Sequence, residues 1–255
     1  MKIIVITQNE PFYLTDNLKY LINILPKNSQ IVGAVVSKPS PFGRKGESFL
    51  QKTLKTFHIF GLKFFTHYSL MYIKNYFDQS KKIENVLNKY DIDKIVLNKS
   101  INHKDSIEKI KSYKPDILIS ILGNEIFKKP IINLAPYGCL NLHSALLPKY
   151  RGLMPTFWVL KNNEEFTGVS VFFVDEGIDS GPIIVQKKIK INDLSQKELI
   201  ILTKKIGMEA IAEAVDKISK NKVNLIDNND SEKTYFSFPK KSDVKEFYNS
   251  GKRFF

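Results

Sequence analysis

Short apolar runs alternate along this chain with stretches in which apolar residues recur every three or four positions. Residues 2–7 form a β-branched run and predict a buried strand. Leu18, Leu21, Ile22 and Leu25 sit at helical spacing, so 16–25 predicts a helix that Pro26 stops. Residues 30–37 (QIVGAVVS) predict a second strand, followed by a Pro/Gly turn cluster at 38–46. A long aromatic helical region is expected over 48–77 and a shorter helix over 83–90. A strand at 93–97, a helix at 103–112 and a buried strand at 116–122 (DILISIL) complete this half. Continuous apolar strands separated by helices imply an α/β fold, a mostly parallel sheet with helices on both faces. Ligands of such sheets bind beyond the carboxyl ends of the strands.

The second half carries the chemistry. Residues 138–143 (GCLNLH) predict a strand whose alternation places Asn141 and His143 on one face, away from Leu140 and Leu142. A loop with two prolines and one glycine follows (145–155, ALLPKYRGLMP), then a helix from Thr156. An alternating strand at 168–174 leads into a tight acidic turn (175–181, DEGIDSG) that holds Asp179, and a further strand covers 182–191. A carboxamide, an imidazole and a carboxylate make a coherent kit for acyl transfer to an amine. The amide can donate to a developing oxyanion, the imidazole can take or relay a proton, and the carboxylate can fix the tautomer of the imidazole. Ser144 directly follows His143, which is poor geometry for a Ser–His nucleophile pair. Each residue alone also fits an ordinary structural role, as a turn residue or a hydrogen-bonded strand end.

The segment NLHSALLPKYRGLMPTFWVLKNNEEFTGVSVFFVDEGIDSGPII, within 141–184, resembles the signature of formyltransferases that use 10-formyltetrahydrofolate. That family includes the methionyl-tRNA, glycinamide ribonucleotide and sugar N-formyltransferases. Its N-x-H and distant D match Asn141, His143 and Asp179, and its loop matches Leu146, Leu147, Pro148, Tyr150, Arg151, Gly152 and Pro155. The resemblance is specific over about 115–190, looser over 1–114 and weak after 195. It implies a Rossmann-like formyltransferase fold, a catalytic domain at 1–192, and a short helical and irregular extension at 193–255. By the same resemblance Asn141, His143 and Asp179 are catalytic. Leu122, Gly123, Asn124, Ile126, Asp175 and Ile178 would line the folate cleft. Lys149, Tyr150 and Arg151 would face the acceptor, with the Arg151 guanidinium on its phosphates or carboxylates or bracing the loop. The implied partners are 10-formyltetrahydrofolate as co-substrate and a small amine acceptor, foremost an amino sugar linked to a nucleotide. A tRNA-bound or lipid-linked amine stays open.

Composition narrows the remainder. With 39 Lys and Arg against 26 Asp and Glu, the net charge is +13, a field that favours anionic partners. A non-catalytic basic protein that holds nucleic acid or membrane is the competing class. One cysteine permits no internal disulfide, and four dispersed histidines argue against a zinc site, so no metal is expected. Neither G-x-G-x-x-G nor G-x-x-x-x-G-K-[ST] occurs, so no nucleotide is held by a glycine loop. No transmembrane span or signal is read, which implies a cytoplasmic protein. The residues after about 190 read as one helix with a Ser195 N-cap (195–221), a polar loop at 224–229 and a tail too short for a tRNA-binding barrel. Finally, 48–77 is more aromatic than a crossover helix needs. A core or subunit-interface helix, and with it a homodimer, competes with peripheral contact on anionic lipid.

Overall fold

The computed structural model describes residues 1–39, 48–123 and 125–255; the turn cluster expected at 38–46 falls almost wholly outside them. The elements run β1 (Lys2–Gln8), α1 (Leu14–Ile24), β2 (Gln30–Ser37), α2 (Phe49–Phe77), α3 (Ile83–Lys89), β3 (Asp93–Ile95), α4 (Lys104–Lys111) and β4 (Ile117–Ser120). They continue through α5 (Lys129–Ile132), β5 (Cys139–His143), β6 (Arg151–Gly152), α6 (Pro155–Lys161), β7 (Phe166–Phe173), β8 (Ile183–Lys190), α7 (Gln196–Ser219), β9 (Tyr235–Phe236) and α8 (Lys241–Asn249).

Seven strands form the main sheet in the order β3-β2-β1-β4-β5-β7-β8. The first five run parallel, while β7 is antiparallel to both β5 and β8. The continuous apolar strands follow from burial on both faces. Ile3 and Val5 point into a cluster with Leu18 of α1 and Met208 of α7, whereas Ile4 and Ile6 point into another with Ile110 of α4 and Ile131 of α5. Chain order reverses between β1 and β4, and the carboxyl ends of β1, β4 and β5 open on the same edge.

The C-terminal extension is far more ordered than its sequence suggests. Helix α7 lies on the sheet beyond the expected boundary at 192, with Ala210, Ile211, Ala214 and Val215 in the same core. Ser195 and Glu198 form a reciprocal N-cap, and two further amide groups of the first turn, Gln196 and Lys197, donate to the carbonyls of Arg253 and Phe254. The tail is thereby drawn back to the start of α7. A separate aromatic core forms there: Phe157 stacks on Phe247 at 5.0 Å, and Phe254 packs against both. Each of these three rings is at most 2% exposed, a burial that contributes about 2–3 kcal/mol apiece. The polar loop expected at 224–229 contains a bridge between Ile226 and Ile183, and β9 pairs in parallel with β6. Both pairings were invisible in the hydropathy pattern because each spans only one or two residues.

Helix α2 also departs from the uniform helix expected over 48–77. Ser48 caps it reciprocally with Gln51, but Gly61 has φ 81° and ψ 176° and splits it into two arms. Phe60 is buried, and Phe64 stacks on it at 4.4 Å and meets Phe254 edge-on at 4.9 Å. One side of α2 is thus a core contact to the tail.

Candidate active site

Strand β5 delivers Asn141 and His143 to its carboxyl end. Asn141 is half-buried, and among the described residues no hydrogen bond is recorded for its carboxamide. His143 is 6% exposed. Its Nε2 lies 2.7 Å from the backbone oxygen of Tyr150. A carbonyl can only accept, so Nε2 carries a hydrogen and donates. Nδ1 is left facing Asp179, 3.5 Å from Oδ2. The carbonyl of Tyr150, and not the carboxylate, therefore fixes the tautomer.

Asp179 occupies a left-handed backbone position, φ 49°, in the turn between β7 and β8. The turn is tied internally by Asp175, whose Oδ1 accepts from the Gly177 amide (3.0 Å) and the Ser180 hydroxyl (2.7 Å). Glycine is required at 181, where a Cβ would stand 1.8 Å from the Phe173 oxygen. Asp179 Oδ2 also accepts from the Gly152 amide at 2.8 Å, which joins the turn to β6.

Asn228 was missed by sequence reasoning. It is 7% exposed, and its Nδ2 donates to the carbonyls of Asp179 and Gly181, both at 2.9 Å. Its Oδ1 and backbone oxygen accept from Arg151 at 2.9 and 3.0 Å. One side chain thus links the Asp179 turn to the loop after β5. Only its place in a run of polar residues (Asp227–Asp230) marked it in the sequence, and that signal reads as a solvated loop. Ser170 and Gln186 were also missed: Ser170 Oγ donates to Ala145 O (2.7 Å) and accepts from Leu147 N (3.1 Å), and Gln186 Nε2 reaches Leu147 O (2.9 Å).

Of the three residues expected on the acceptor side, only Lys149 presents an exposed side chain. Tyr150 is buried, its hydroxyl 2.6 Å from Glu164 and its ring stacked on Phe236 at 5.2 Å. Burial, with the Glu164 hydrogen bond second, pushes its phenol up to about 12. Arg151 is 4% exposed and pairs with Asp230 at 2.7 Å besides Asn228. The guanidinium expected on an acceptor's anionic groups is instead a brace between loop and tail, the other role considered for it. Among the cleft residues, Leu122 (φ 62°) is half-buried below the rim, Gly123 is exposed, and Ile126 and Ile178 are 66% and 47% exposed. Asn124 lies outside the described residues. Leu122 shares a small cleft with Leu142, Ser144 and Lys204 at the strands' carboxyl ends. A larger depression, about 460 Å³ beside Gln30, Ile31 and Asp93, lies at the opposite end of the sheet and contains none of the expected residues. Location relative to the chemistry, and not size, identifies the site.

The turn after β1 holds a second unforeseen arrangement. The Glu10 carboxylate accepts from the amides of Phe12, Tyr13 and Leu14 at 2.8, 2.9 and 3.2 Å. It fills the anion position at the start of α1 that glycine loops in other α/β folds leave to a phosphate.

An amide donor, an imidazole and a carboxylate thus lie at the carboxyl edge of an α/β sheet, the kinds of group that acyl transfer to an amine uses. The chain belongs to the formyl transferase family, whose "Formyl transferase" model matches residues 1–215. It is 37% identical over 161 residues to the methionyl-tRNA formyltransferase of Kosmotoga olearia, covering 62% of this chain and 51% of that protein. It is 41% identical over 150 residues to that of Thermodesulfovibrio yellowstonii, 58% of this chain and 48% of that protein. The chain thus spans about half the length of these relatives. Among solved structures, glycinamide ribonucleotide transformylase 1 from Symbiobacterium toebii superposes with TM-score 0.62 at 15% identity, over 89% of this chain and 94% of that one. An N-formyltransferase from Helicobacter canadensis, in complex with folinic acid and dTDP-3-aminofucose, superposes with TM-score 0.55 at 19% identity, over 92% and 70%. At these identities the superpositions show the shared fold. Among the described residues no helix is long and apolar enough to cross a membrane.

Proposed function

We propose that the protein transfers a formyl group from 10-formyltetrahydrofolate to a primary amine. The observation that carries this reading is the fixed His143 tautomer, with Nδ1 turned to Asp179 and Asn141 two residues before it on the same strand. The donor supplies an activated formyl carbon and a nitrogen that can leave. As the amine nitrogen bonds to that carbon, the bond to the folate nitrogen breaks. Asn141 donates to the formyl oxygen as it gains charge. His143 Nδ1 accepts the proton that the amine loses, and the resulting imidazolium faces the Asp179 carboxylate before the proton passes to the leaving nitrogen. Leu122, Gly123, Asn124, Ile126, Asp175 and Ile178 are assigned to the folate side, and exposed Lys149 to the acceptor side.

For the acceptor, an amino sugar of a sugar nucleotide is the first reading. Support comes from folds that include sugar N-formyltransferases and that follow this chain over 92–93% of its length. Glu10 at the start of α1 argues that an acceptor phosphate is held elsewhere. Methionyl-tRNA is the second reading, favoured by the 37–41% identities. Incubation with 10-formyltetrahydrofolate and a panel of amino-sugar nucleotides and methionyl-tRNA should add about 28 Da to one of them. A gain on methionyl-tRNA alone would replace the sugar reading, and no gain on any amine together with no tetrahydrofolate release would sink the formyl-transfer reading.

A further inference from the structure

Among the described residues, α2 leaves an outward apolar side exposed. Its first arm exposes Leu50, Leu54 and Phe57 at i, i+4 and i+7, at 65%, 58% and 44%. Its second arm exposes Leu62, Leu70, Ile73, Tyr76 and Phe77, at 65%, 68%, 53%, 64% and 75%. Phe57 and Phe65 meet edge-to-face at 5.5 Å across the Gly61 break, so the two stripes join into one face. An apolar face of this extent is a contact surface and not scattered exposure.

Charge selects the occupant. Between Phe49 and Phe77 there are four lysines, at 52, 55, 63 and 74, and no acidic residue. Lys74 is exposed beside the apolar stripe of the second arm, whereas Lys63 reaches over the Phe255 ring at 5.6 Å. A second copy docked on this face would bring lysines against lysines, with no carboxylate on either helix to offset them. A nucleic acid would meet the lysines but leave leucine and isoleucine side chains against phosphate and water. Anionic lipid headgroups over acyl chains satisfy the charge and the apolar stripe together. We infer that α2 docks this protein peripherally on an anionic membrane surface through Leu62, Leu70, Ile73 and Phe77, with Lys74 at the headgroups. The opposite side of α2 stays committed to the tail through Phe60 and Phe64. Phe64 is therefore not part of the contact. The inference is independent of the reaction assigned above.

The test uses the whole chain in flotation with phosphatidylcholine vesicles, with and without phosphatidylglycerol. The wild type should float with the anionic vesicles and stay behind with the neutral ones. Leu70→Glu combined with Ile73→Glu should weaken partitioning at least about tenfold, and Lys74→Glu about fivefold or more. Both variants should retain the wild-type melting temperature, because none of these side chains is buried. Several outcomes would each overturn the proposal: no flotation with anionic vesicles, equal flotation with neutral ones, or wild-type flotation of the Leu70/Ile73 double variant. Self-association in vesicle-free buffer that the double variant abolishes would assign the face to a second copy. RNA binding with the same sensitivity, and no flotation, would assign it to nucleic acid.

Discussion

His143 donates from Nε2 to the backbone oxygen of Tyr150 across 2.7 Å, and this one bond turns the other ring nitrogen, Nδ1, to Asp179. Because the acceptor is main chain, no substitution at 150 removes it directly. The orientation of the imidazole depends on the path of the loop, and that path depends on how β6 is held.

The first expectation concerns the reacting groups. His143→Ala should lower kcat by about 10²-fold or more, the range of a general acid–base residue, with far-UV circular dichroism unchanged. Asp179→Asn retains a group able to accept from the Gly152 amide but removes the charge facing Nδ1. It should lose kcat while melting near the wild type. Tetrahydrofolate release followed by absorbance measures both, and near-normal turnover in either variant would remove that residue from the mechanism.

A second expectation separates bracing from substrate contact. Asn228→Ala leaves two turn carbonyls without partners and removes one of the two acceptors of Arg151 Nη2, at a cost of about 1–3 kcal/mol. Arg151→Lys cannot span Asn228 and Asp230 with one planar fork and should lower the melting temperature likewise. Gly152→Ala would place a Cβ 2.3 Å from the Phe236 oxygen at φ 99°. It should cost about 10- to 100-fold in kcat by displacing the amide that holds Asp179. If Arg151→Lys raised KM for the acceptor with no change in melting temperature, the guanidinium would be a substrate ligand after all.

The third expectation is a pH dependence. Burial lowers the Lys204 pKa and the Glu10 charge partly restores it. A lysine whose folded pKa lies below its unfolded value costs stability while charged. The cost is complete below the folded pKa and fades as pH rises through the ordinary lysine range. Lys204→Met should therefore stabilise the protein at pH 7, and the gain should shrink toward about pH 10. Denaturant titrations at both pH values measure this, and a gain that grows with pH would contradict the assignment.

The sheet and the common side of Asn141 and His143 were legible in the sequence for physical reasons. Strands buried on both faces leave unbroken apolar runs, and Ile3–Ile6 and Ile117–Ile119 show this plainly. Asn141 and His143 are two apart on one strand, so alternation alone puts them on one side. The supports were not legible because they depend on long-range pairing. Asn228 meets Arg151 across 77 positions, and β9 meets β6 across 84. Neither contact leaves a periodic trace. Arg151 reads from sequence either as an acceptor contact or as a loop brace, and only its partners show it as a brace. Glu10 likewise sits where a glycine loop would, and nothing in one sequence announces that a carboxylate has taken the place of a bound anion.

The link from Asn228 to the Asp179 turn has a consequence for biosynthesis. Asn141, His143 and Asp179 leave the ribosome first, but the residue that joins their two loops is made about fifty positions after Asp179. A nascent chain can complete its parallel strands while the carboxylate turn still lacks its tie. Completion of the Asp179 turn is thereby coupled to the late closure of the tail.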